Sequence, residues 1–267
     1  MGLTLAGRRV LLTGASGGIG AAIARAAHGR GAELVISGRR ADVLEAVRGE
    51  LGDRAEVVVA DLADPGAAGE LVDRAGPVDV LIANAALPSS GGFDSFSAEQ
   101  IDRSIDVNLR APIHLARLLA PSMAERRSGH LVFISSMSGK VSSAGSSIYS
   151  ATKFGLRGFA FGLREDLRRT GVGVTTVFPG FISDAGMFAD TGVSLPRFAG
   201  RRRPDDVADA VVQAIERNSA EVDVAPLPMR VGAAVAGVAP GVVTRLQQRL
   251  GADTIAARVG RAQRVKR

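Results

Sequence analysis

The residues best suited to chemistry are Tyr149 and Lys153, the chain's only tyrosine and one of its three lysines. Residues four apart on a helix share a face, so the phenol and the ammonium can point into the same cleft. An ammonium about 4 Å from a phenol supplies roughly the 4 kcal/mol that lowers its pKa by about three units. The pair predicts a tyrosine that exchanges protons at neutral pH. Taken in isolation, it fits a surface tyrosine beside an exposed lysine.

Ser136 and Asn108 carry two further polar groups that can act with this pair. Ser136 ends the run HLVFISS, just past a predicted strand, at the edge where open α/β sheets bind ligands. Its hydroxyl can donate to a carbonyl oxygen and stabilise negative charge as a hydride arrives. Asn108 stands among apolar residues in DVNLRAP, and we expect its amide to bond backbone or water behind the lysine. Without the other three residues, Asn108 is interpreted as a structural polar residue.

A glycine-rich turn, TGASGGIG at 13–20, follows the first predicted strand and opens a helical run. Glycines allow a tight turn and a close approach of a pyrophosphate to the backbone, and the helix presents unpaired N–H groups to it. Such turns also serve merely to connect a strand to a helix. The strand-turn-helix context favours dinucleotide binding. The residues assigned to the cofactor here are Gly14, Ser16, Gly18, Ile19 and Gly20.

The end of the second predicted strand indicates which dinucleotide binds. NAD-binding proteins usually place an acid about 20 residues after the glycines, but this chain has Ser37-Gly38-Arg39-Arg40 there. Two cations before a helix oppose its macrodipole unless an anion is present. We therefore predict that Arg39, helped by Arg40 and Ser37, binds a 2′-phosphate, and that NADP(H) is preferred over NAD(H). A solvated charged loop is the alternative interpretation.

Short β-branched runs alternate with helix-length segments, which is typical of a parallel sheet with crossover helices. The sequence predicts one doubly wound α/β Rossmann domain with a seven-stranded parallel sheet and helices on both faces. The predicted strands are 9–13, 33–37, 56–60, 78–83, 130–135, 172–178 and 221–224. The predicted helices are 18–30, 41–51, 65–75, 98–127, 147–170 and 204–218.

Composition excludes several classes of protein. The 267 residues contain no cysteine, which excludes disulfide scaffolds, thiolate zinc sites and cysteine nucleophiles, and no metal ligands are assigned. The net charge is +6, yet residues 230–267 carry eight basic residues against Asp253, a net charge of +7. The body is therefore nearly neutral, which argues against nucleic-acid binding, whereas the tail can meet an anionic surface.

The chain is divided into a catalytic domain at 1–228 and a basic, partly amphipathic C-terminal extension at 229–267. Val242, Val243, Leu246 and Leu250 have the spacing of an amphipathic helix. This helix caps the body or forms a subunit interface; a membrane-surface contact is the alternative. The first nine residues lack a signal-peptide core, and the apolar stretch 231–243 is too short to span a bilayer. We therefore expect a cytoplasmic protein; the alternative is a cytoplasmic protein that also contacts a membrane peripherally through its tail.

Taken together, these motifs resemble the short-chain dehydrogenase/reductase family over about residues 8–224. The turn TGASGGIG and the functional residues already described stand in family order. Further matching segments are Asp61-Leu62, Asn84-Ala85-Ala86 and Pro179-Gly180. The resemblance implies that NAD(P)(H) binds across the carboxyl edge of the strands. It also implies an adenine pocket at Asp61 and Leu62 and cofactor contacts at Asn84 and Pro179.

The resemblance also implies a role for each catalytic residue. Tyr149 is the proton donor or acceptor, Ser136 orients the carbonyl, Lys153 grips the nicotinamide ribose and lowers the tyrosine pKa, and Asn108 holds a relay water. A homodimer or homotetramer built on the two long helices is also implied. The chain departs from the family at Ala86, where glycine is usual.

A second departure follows Pro179-Gly180, where the family often has threonine and this chain reads Phe181-Ile182-Ser183-Asp184. Because Asp184 would repel a pyrophosphate, Ser183 or the backbone of Ile182 is the expected contact. Segment 181–203 is rich in apolar residues and corresponds to the family's substrate lid, which favours a hydrophobic substrate. The same residues can merely dock the lid onto the body.

Two functions follow. The first is an NADP(H)-linked oxidoreductase that moves a hydride between cofactor and the carbonyl or alcohol carbon of a hydrophobic small molecule. The second is a catalytically silent NADP-binding sensor whose basic tail binds a partner or a membrane. The intact set of Ser136, Tyr149 and Lys153 favours the enzyme.

Overall fold

A computed structural model describes residues 2–183, 200–249, 258–259 and 262. Its strands are β1 (Arg9–Thr13), β2 (Glu33–Gly38), β3 (Ala55–Val59), β4 (Val80–Ala83), β5 (Gly129–Ile134), β6 (Val172–Pro179) and β7 (Glu221–Val224). Its α-helices are α1 (Gly18–Gly29), α2 (Ala41–Leu51), α3 (Ala67–Ala75), α4 (Ala98–Ile105), α5 (Ala111–Glu125), α6 (Ser147–Asp166), α7 (Pro204–Arg217), α8 (Leu227–Val238) and α9 (Pro240–Arg249). All strands pair in parallel in the order β3-β2-β1-β4-β5-β6-β7, which confirms the predicted doubly wound fold.

Helices cover both faces of the sheet because successive strand residues point to opposite sides. In β1, Val10 and Leu12 belong to the core that α1, α2 and α7 complete. Leu11, between them, belongs to the core that α3, α5 and α6 complete. This two-sided burial explains why the strands read as nearly continuous apolar runs.

The order of the strands reverses at β1, which pairs with β2 on one side and with β4 on the other. The chain segments that leave β1 and β4 therefore diverge and open a crevice at the carboxyl edge of the sheet. The segments after β5 and β6 emerge at the same edge. This topology brings together predicted site residues that are far apart in sequence.

The predicted helix 98–127 is interrupted. A π-helical turn at Asp106–Arg110 separates α4 from α5. Pro112 follows, and proline can neither donate to the carbonyl four residues earlier, that of Asn108, nor fit its ring against it. The backbone widens there, which is a common setting for functional side chains. Pro112 was therefore the signal in the sequence for this interruption between α4 and α5.

Helix α8, the first helix after the last strand, packs against the domain. Ala233 is buried beside Phe178 and Met137, and Met229 packs against the same cluster. The predicted division at residue 228 falls inside this helix, and it stays a prediction. Within the part of the chain that the structure describes, no helix is both long and apolar enough to cross a bilayer.

Most of the predicted lid 181–203 and Leu250 of the predicted amphipathic helix lie outside the described residues. The two ends of the lid segment lie side by side. The Ser183 amide donates to the Arg202 carbonyl at 2.9 Å, and the Arg202 amide donates to the Phe181 carbonyl at 3.0 Å. Ile182, between them, is 4% exposed and packs into the core.

Candidate active site

The turn after β1 is shaped by glycines that leave no room for a side chain. Gly14 has a φ of +69°, and a Cβ there would lie 2.7 Å from the Cα of Ala85. A Cβ on Gly20 would collide with the carbonyl oxygen of Gly14. The first turn of α1 therefore packs directly onto the glycine-rich backbone. These contacts create a cradle of bare main chain, which fits the pyrophosphate of a dinucleotide.

The beginning of α1 is electrostatically suited to an anion. No side chain caps the helix at Gly17, and its first turn contains no acidic residue. The first amides of a helix have no partner within the helix and carry its positive dipole end. Gly18 and Ile19 occupy this first turn, where the sequence predicted phosphate contacts, and Ser16 lies in the turn before it.

Thr13 and Asn84 lock the turn after β1 to the segment after β4. The buried Thr13 hydroxyl accepts from the amides of Asn84 and Ala85, both at 3.1 Å. The Asn84 side-chain amide donates to the carbonyls of Thr13 and Gly14, also at 3.1 Å. Asn84, predicted as a cofactor contact, therefore shapes the phosphate turn. Thr13 was missed as a site residue, although its place at the end of the strand was a usable signal.

Asp61, at the end of the crevice predicted to hold adenine, is surrounded by cations. Arg103 from α4 donates to its carboxylate at 2.6 Å, and Arg39 lies 3.9 Å from the same oxygen. Burial raises the pKa of Asp61, but hydrogen bonds from the Ala63 amide and Arg103 outweigh it, so the pKa is lowered overall. Sequence reasoning missed Arg103. Neighbouring Leu62 packs against the core.

Arg39 and Arg40 take different positions. The Arg39 side chain is 52% exposed, and its only ion pair among the described residues is the long contact with Asp61. Arg40 instead donates to the Ser16 carbonyl in the glycine turn. Ser37 is 1% exposed, and its carbonyl accepts from the Ala15 amide at 3.0 Å. Of the predicted phosphate ligands, Arg39 is therefore the one free to meet a ligand from solvent.

Ser136 and Tyr149 are brought together at the carboxyl end of β5. Ser136 caps a short 3₁₀ helix, Met137–Gly139, and its hydroxyl oxygen accepts from the Ser138 amide at 3.1 Å. Burial raises the pKa of Tyr149 to about 12, although a hydrogen bond with Ser136 lowers it in part. The phenol is therefore protonated at neutral pH.

Lys153 lies beneath the tyrosine on α6, as the spacing predicted. Its ammonium donates to the Ile134 carbonyl at 3.0 Å and lies 5.6 Å from the centre of the Tyr149 ring. The side chain is 1% exposed, and burial lowers its pKa to about 8. No lowering of the tyrosine pKa by this lysine is seen here, because the loss of solvation dominates and the ammonium is bonded to backbone; that effect stays a prediction.

Asn108 projects from the π-helical turn and clamps the main chain of Leu87, after β4. Its side-chain oxygen accepts from the Leu87 amide at 2.7 Å, and its nitrogen donates to the Leu87 carbonyl at 3.0 Å. The same nitrogen lies 3.5 Å from the Thr152 hydroxyl, which donates to the Tyr149 carbonyl at 2.8 Å. The predicted contact of Asn108 with backbone is therefore present, and its role in holding a relay water stays a prediction. Thr152 was missed, although it is adjacent to Lys153.

Pro179 and Ile182 lie where β6 leaves the sheet. Pro179 ends the strand and is buried, and the Gly180 amide donates to the Val224 carbonyl at 3.0 Å. Ile182 forms an isolated bridge with Arg202, which holds its main chain beside the segment that leads into α7. Asp184 lies outside the described residues.

Comparisons with known proteins agree with this arrangement. Residues 8–193 match the family described as short chain dehydrogenase. A relative named "Ketoacyl reductase HetN", from Nostoc sp. (strain PCC 7120 / SAG 25.82 / UTEX 2576), is 40% identical over 261 residues, 93% of this chain and 91% of that protein.

Two solved structures are similar along most of their length. A short-chain dehydrogenase from Sphingobium yanoikuyae in complex with NADPH has a TM-score of 0.77 and 31% identity, covering 88% of this chain and 94% of that one. A metagenomic short-chain oxidoreductase in complex with NADP has a TM-score of 0.70 and 34% identity, covering 84% and 99%. The family match spans most of the chain and contains the glycine turn, Ser136, Tyr149 and Lys153. The protein is therefore an oxidoreductase and belongs to the short-chain dehydrogenase family.

Proposed function

We propose that this protein is an NADP(H)-dependent oxidoreductase that interconverts a carbonyl and an alcohol on a hydrophobic substrate, with Tyr149 as the general acid/base. The observation that carries the proposal is the meeting of Ser136, Tyr149 and Lys153 at one edge of the sheet, beside a glycine cradle that fits a dinucleotide. When bound, the nicotinamide supplies or accepts the hydride.

The protonation states favour proton donation by the tyrosine. With a pKa of about 12, the Tyr149 phenol holds its proton at neutral pH and can give it to the oxygen of a carbonyl that receives a hydride. The Ser136 oxygen already accepts an amide hydrogen, so its own hydroxyl hydrogen can be donated to the same carbonyl oxygen. Lys153, with a pKa of about 8, can return a proton to the phenolate near neutral pH.

The cofactor preference rests on Arg39. Because Arg103 binds the Asp61 carboxylate at 2.6 Å, Arg39 makes only a 3.9 Å contact with it and keeps its charge available for a 2′-phosphate. The similar structures bound to NADPH and to NADP support this preference.

The substrate class is a hydrophobic ketone or alcohol. The name of the relative, a ketoacyl reductase, favours a ketone within an acyl chain. The apolar composition of segment 181–203 supports the same class. A catalytically silent sensor is not favoured, because a sensor has no use for the Ser136, Tyr149 and Lys153 arrangement.

A homodimer or homotetramer is part of the proposal. Helix α6 exposes Phe154 at 41% and Phe161 at 64%, and α5 exposes Leu118 at 40%. Large apolar side chains on two adjacent helices are suited to pack against a second copy of the chain.

The acid/base role is tested with Tyr149→Phe. We expect a loss of NADPH-dependent ketone reduction of at least about a hundredfold, in line with general acid catalysis, with NADPH affinity unchanged. Reduction is followed by the loss of nicotinamide absorbance with a panel of short, long-chain and acyl ketones. Retained activity in the variant, or a wild type inactive with every ketone and alcohol, would contradict the proposal.

The cofactor preference is tested with Arg39→Asp. We expect NADPH affinity to fall far more than NADH affinity, since a carboxylate repels the 2′-phosphate and suits a ribose hydroxyl. Fluorescence titrations of both cofactors measure this, with Arg48→Asp on the exposed face of α2 as the control. Equal losses for the two cofactors would remove Arg39 from the phosphate site.

A further inference from the structure

Helix α8 presents a row of apolar side chains to solvent. Leu227, Val231, Val235 and Val238 are 67%, 53%, 41% and 90% exposed. Their spacing of four, four and three residues places them on one face of the helix. Val242, at the beginning of α9, is 61% exposed. Scattered exposed valines are ordinary, but a row this long on one helix indicates a binding surface.

The opposite face of α8 holds the helix in a fixed orientation. Ala233 is 5% exposed and lies in a cluster with Met137 and Phe178, and Met229 packs against that cluster. Because the buried and exposed residues fall on opposite sides, the apolar row is directed outward by the packing of the helix.

Exposed arginines lie on the helices that carry this row and on a neighbouring segment. Residues 230–267 have a net charge of +7, and the side chains of Arg230 and Arg245 are exposed on the two helices. Arg201 and Arg202 are also exposed, in the segment that passes Pro226 at the beginning of α8. Arg203, next to them, pairs with Asp205 at 3.4 Å.

We propose that α8 and α9 dock, apolar row first, on an anionic lipid surface. An amphipathic helix with apolar side chains and flanking arginines binds such a surface through burial and electrostatic attraction together. A second copy fits less well, because a symmetric contact brings the exposed Arg230 and Arg245 of two copies against one another. Residues 250–267 of the same chain carry five basic residues against Asp253 and do not neutralise the surface either.

Docking through α8 would hold the active-site edge close to the bilayer, behind that helix. Helix α8 packs on Met137, which directly follows Ser136. A Cβ on Gly180, at the end of β6, would lie 3.0 Å from the Met229 sulfur. Helix α8 and the site therefore share one cluster, on the face of the helix opposite the apolar row, and a hydrophobic substrate could reach the site from lipid beside the helix; that delivery step rests on the proposed function, whereas docking does not.

Docking is tested by cosedimentation of the full chain with vesicles. We compare phosphatidylcholine alone with phosphatidylcholine containing phosphatidylglycerol, at 50 mM and 500 mM salt. We expect binding to the anionic vesicles at low salt, and at least tenfold weaker binding both to neutral vesicles and at high salt. No binding to anionic vesicles would overturn the proposal.

Two sets of variants separate the apolar and the charge contributions. The triple variant Val231→Ser, Val235→Ser and Val238→Ser, and the pair Arg230→Glu and Arg245→Glu, should each weaken vesicle binding at least tenfold. Val59→Ser, at an exposed apolar residue that ends β3, is the matched control and should bind as the wild type does. Unchanged binding in either set would overturn the proposal, and the charge pair remains informative if the triple variant does not fold.

The second-copy alternative is a measurable outcome. If the triple variant changes the molecular mass in solution measured by light scattering, while vesicle binding persists, the row is a subunit interface and lipid docking is refuted. Activity with a water-soluble ketone reports separately on the catalytic proposal, since the triple variant should leave it unchanged. A protein that binds vesicles but reduces no ketone would refute the catalytic proposal alone.

Discussion

Asn108 provides a quantitative prediction, because its partners are fully specified. The side chain is 0% exposed and closes two hydrogen bonds with Leu87, which is 5% exposed. Asn108→Ala leaves one buried N–H and one buried C=O without partners. Each such group costs about 1–3 kcal/mol, so we expect the free energy of unfolding to fall by about 4 kcal/mol. For a domain of this size, that lowers Tm by roughly 8–16 °C.

Asn108→Asp is the matched control, because its shape is the same. An ionised carboxylate accepts from the Leu87 amide but faces the Leu87 carbonyl without a hydrogen to donate. Burial raises the pKa of the introduced carboxyl above its unfolded value, so the stabilising protonated form is present at low pH and lost as pH rises through the folded pKa. The stability gap between wild type and Asn108→Asp should therefore narrow as pH falls from 8 to 5.

Chemical denaturation of both variants, with kcat and KM for a responsive ketone, measures the effect. The expected pattern is a large loss of stability in Asn108→Ala, with activity lost as the segment around Leu87 loosens. A variant with unchanged Tm and a strongly reduced kcat would refute this reasoning, because Asn108 would then act on the reacting groups through water.

Two further predictions concern charged residues. Burial lowers the pKa of Lys153 from 10.5 to about 8, so stability rises with pH between those values, and below pH 8 the buried ammonium costs about 3 kcal/mol. Lys153→Met should therefore raise the denaturation midpoint at pH 7 while abolishing activity; a lower midpoint would contradict this. Arg103→Ala should let Arg39 turn toward Asp61, which weakens NADPH binding about twofold to fivefold and leaves NADH binding unaffected. In titrations, Arg103→Lys should recover part of the lost NADPH affinity.

Local signals in the sequence were sufficient for the fold and for several members of the proposed site, whereas Thr13, Arg103 and Thr152 were missed. Alternation of apolar strands with helical segments predicted the doubly wound sheet, since each strand must be covered on both faces. The spacing of Tyr149 and Lys153 predicted a shared helix face, and the position of Ser136 predicted the sheet edge. These features depend on residues close in sequence, where helix and strand periodicity act directly.

The tertiary structure decided the chemistry of those residues. The pKa of Tyr149 goes up because burial removes solvation. The degree of burial depends on neighbours from the whole chain, so it does not follow from the spacing of Tyr149 and Lys153. The Arg103 contact with Asp61 joins residues 42 positions apart. The clamp of Asn108 on Leu87 likewise depends on how α4 and α5 lie against the segment after β4. The sequence by itself determined the fold and the residues whose spacing suits them to the crevice. Long-range packing determined how each is solvated and paired, because both depend on atoms brought together only by folding.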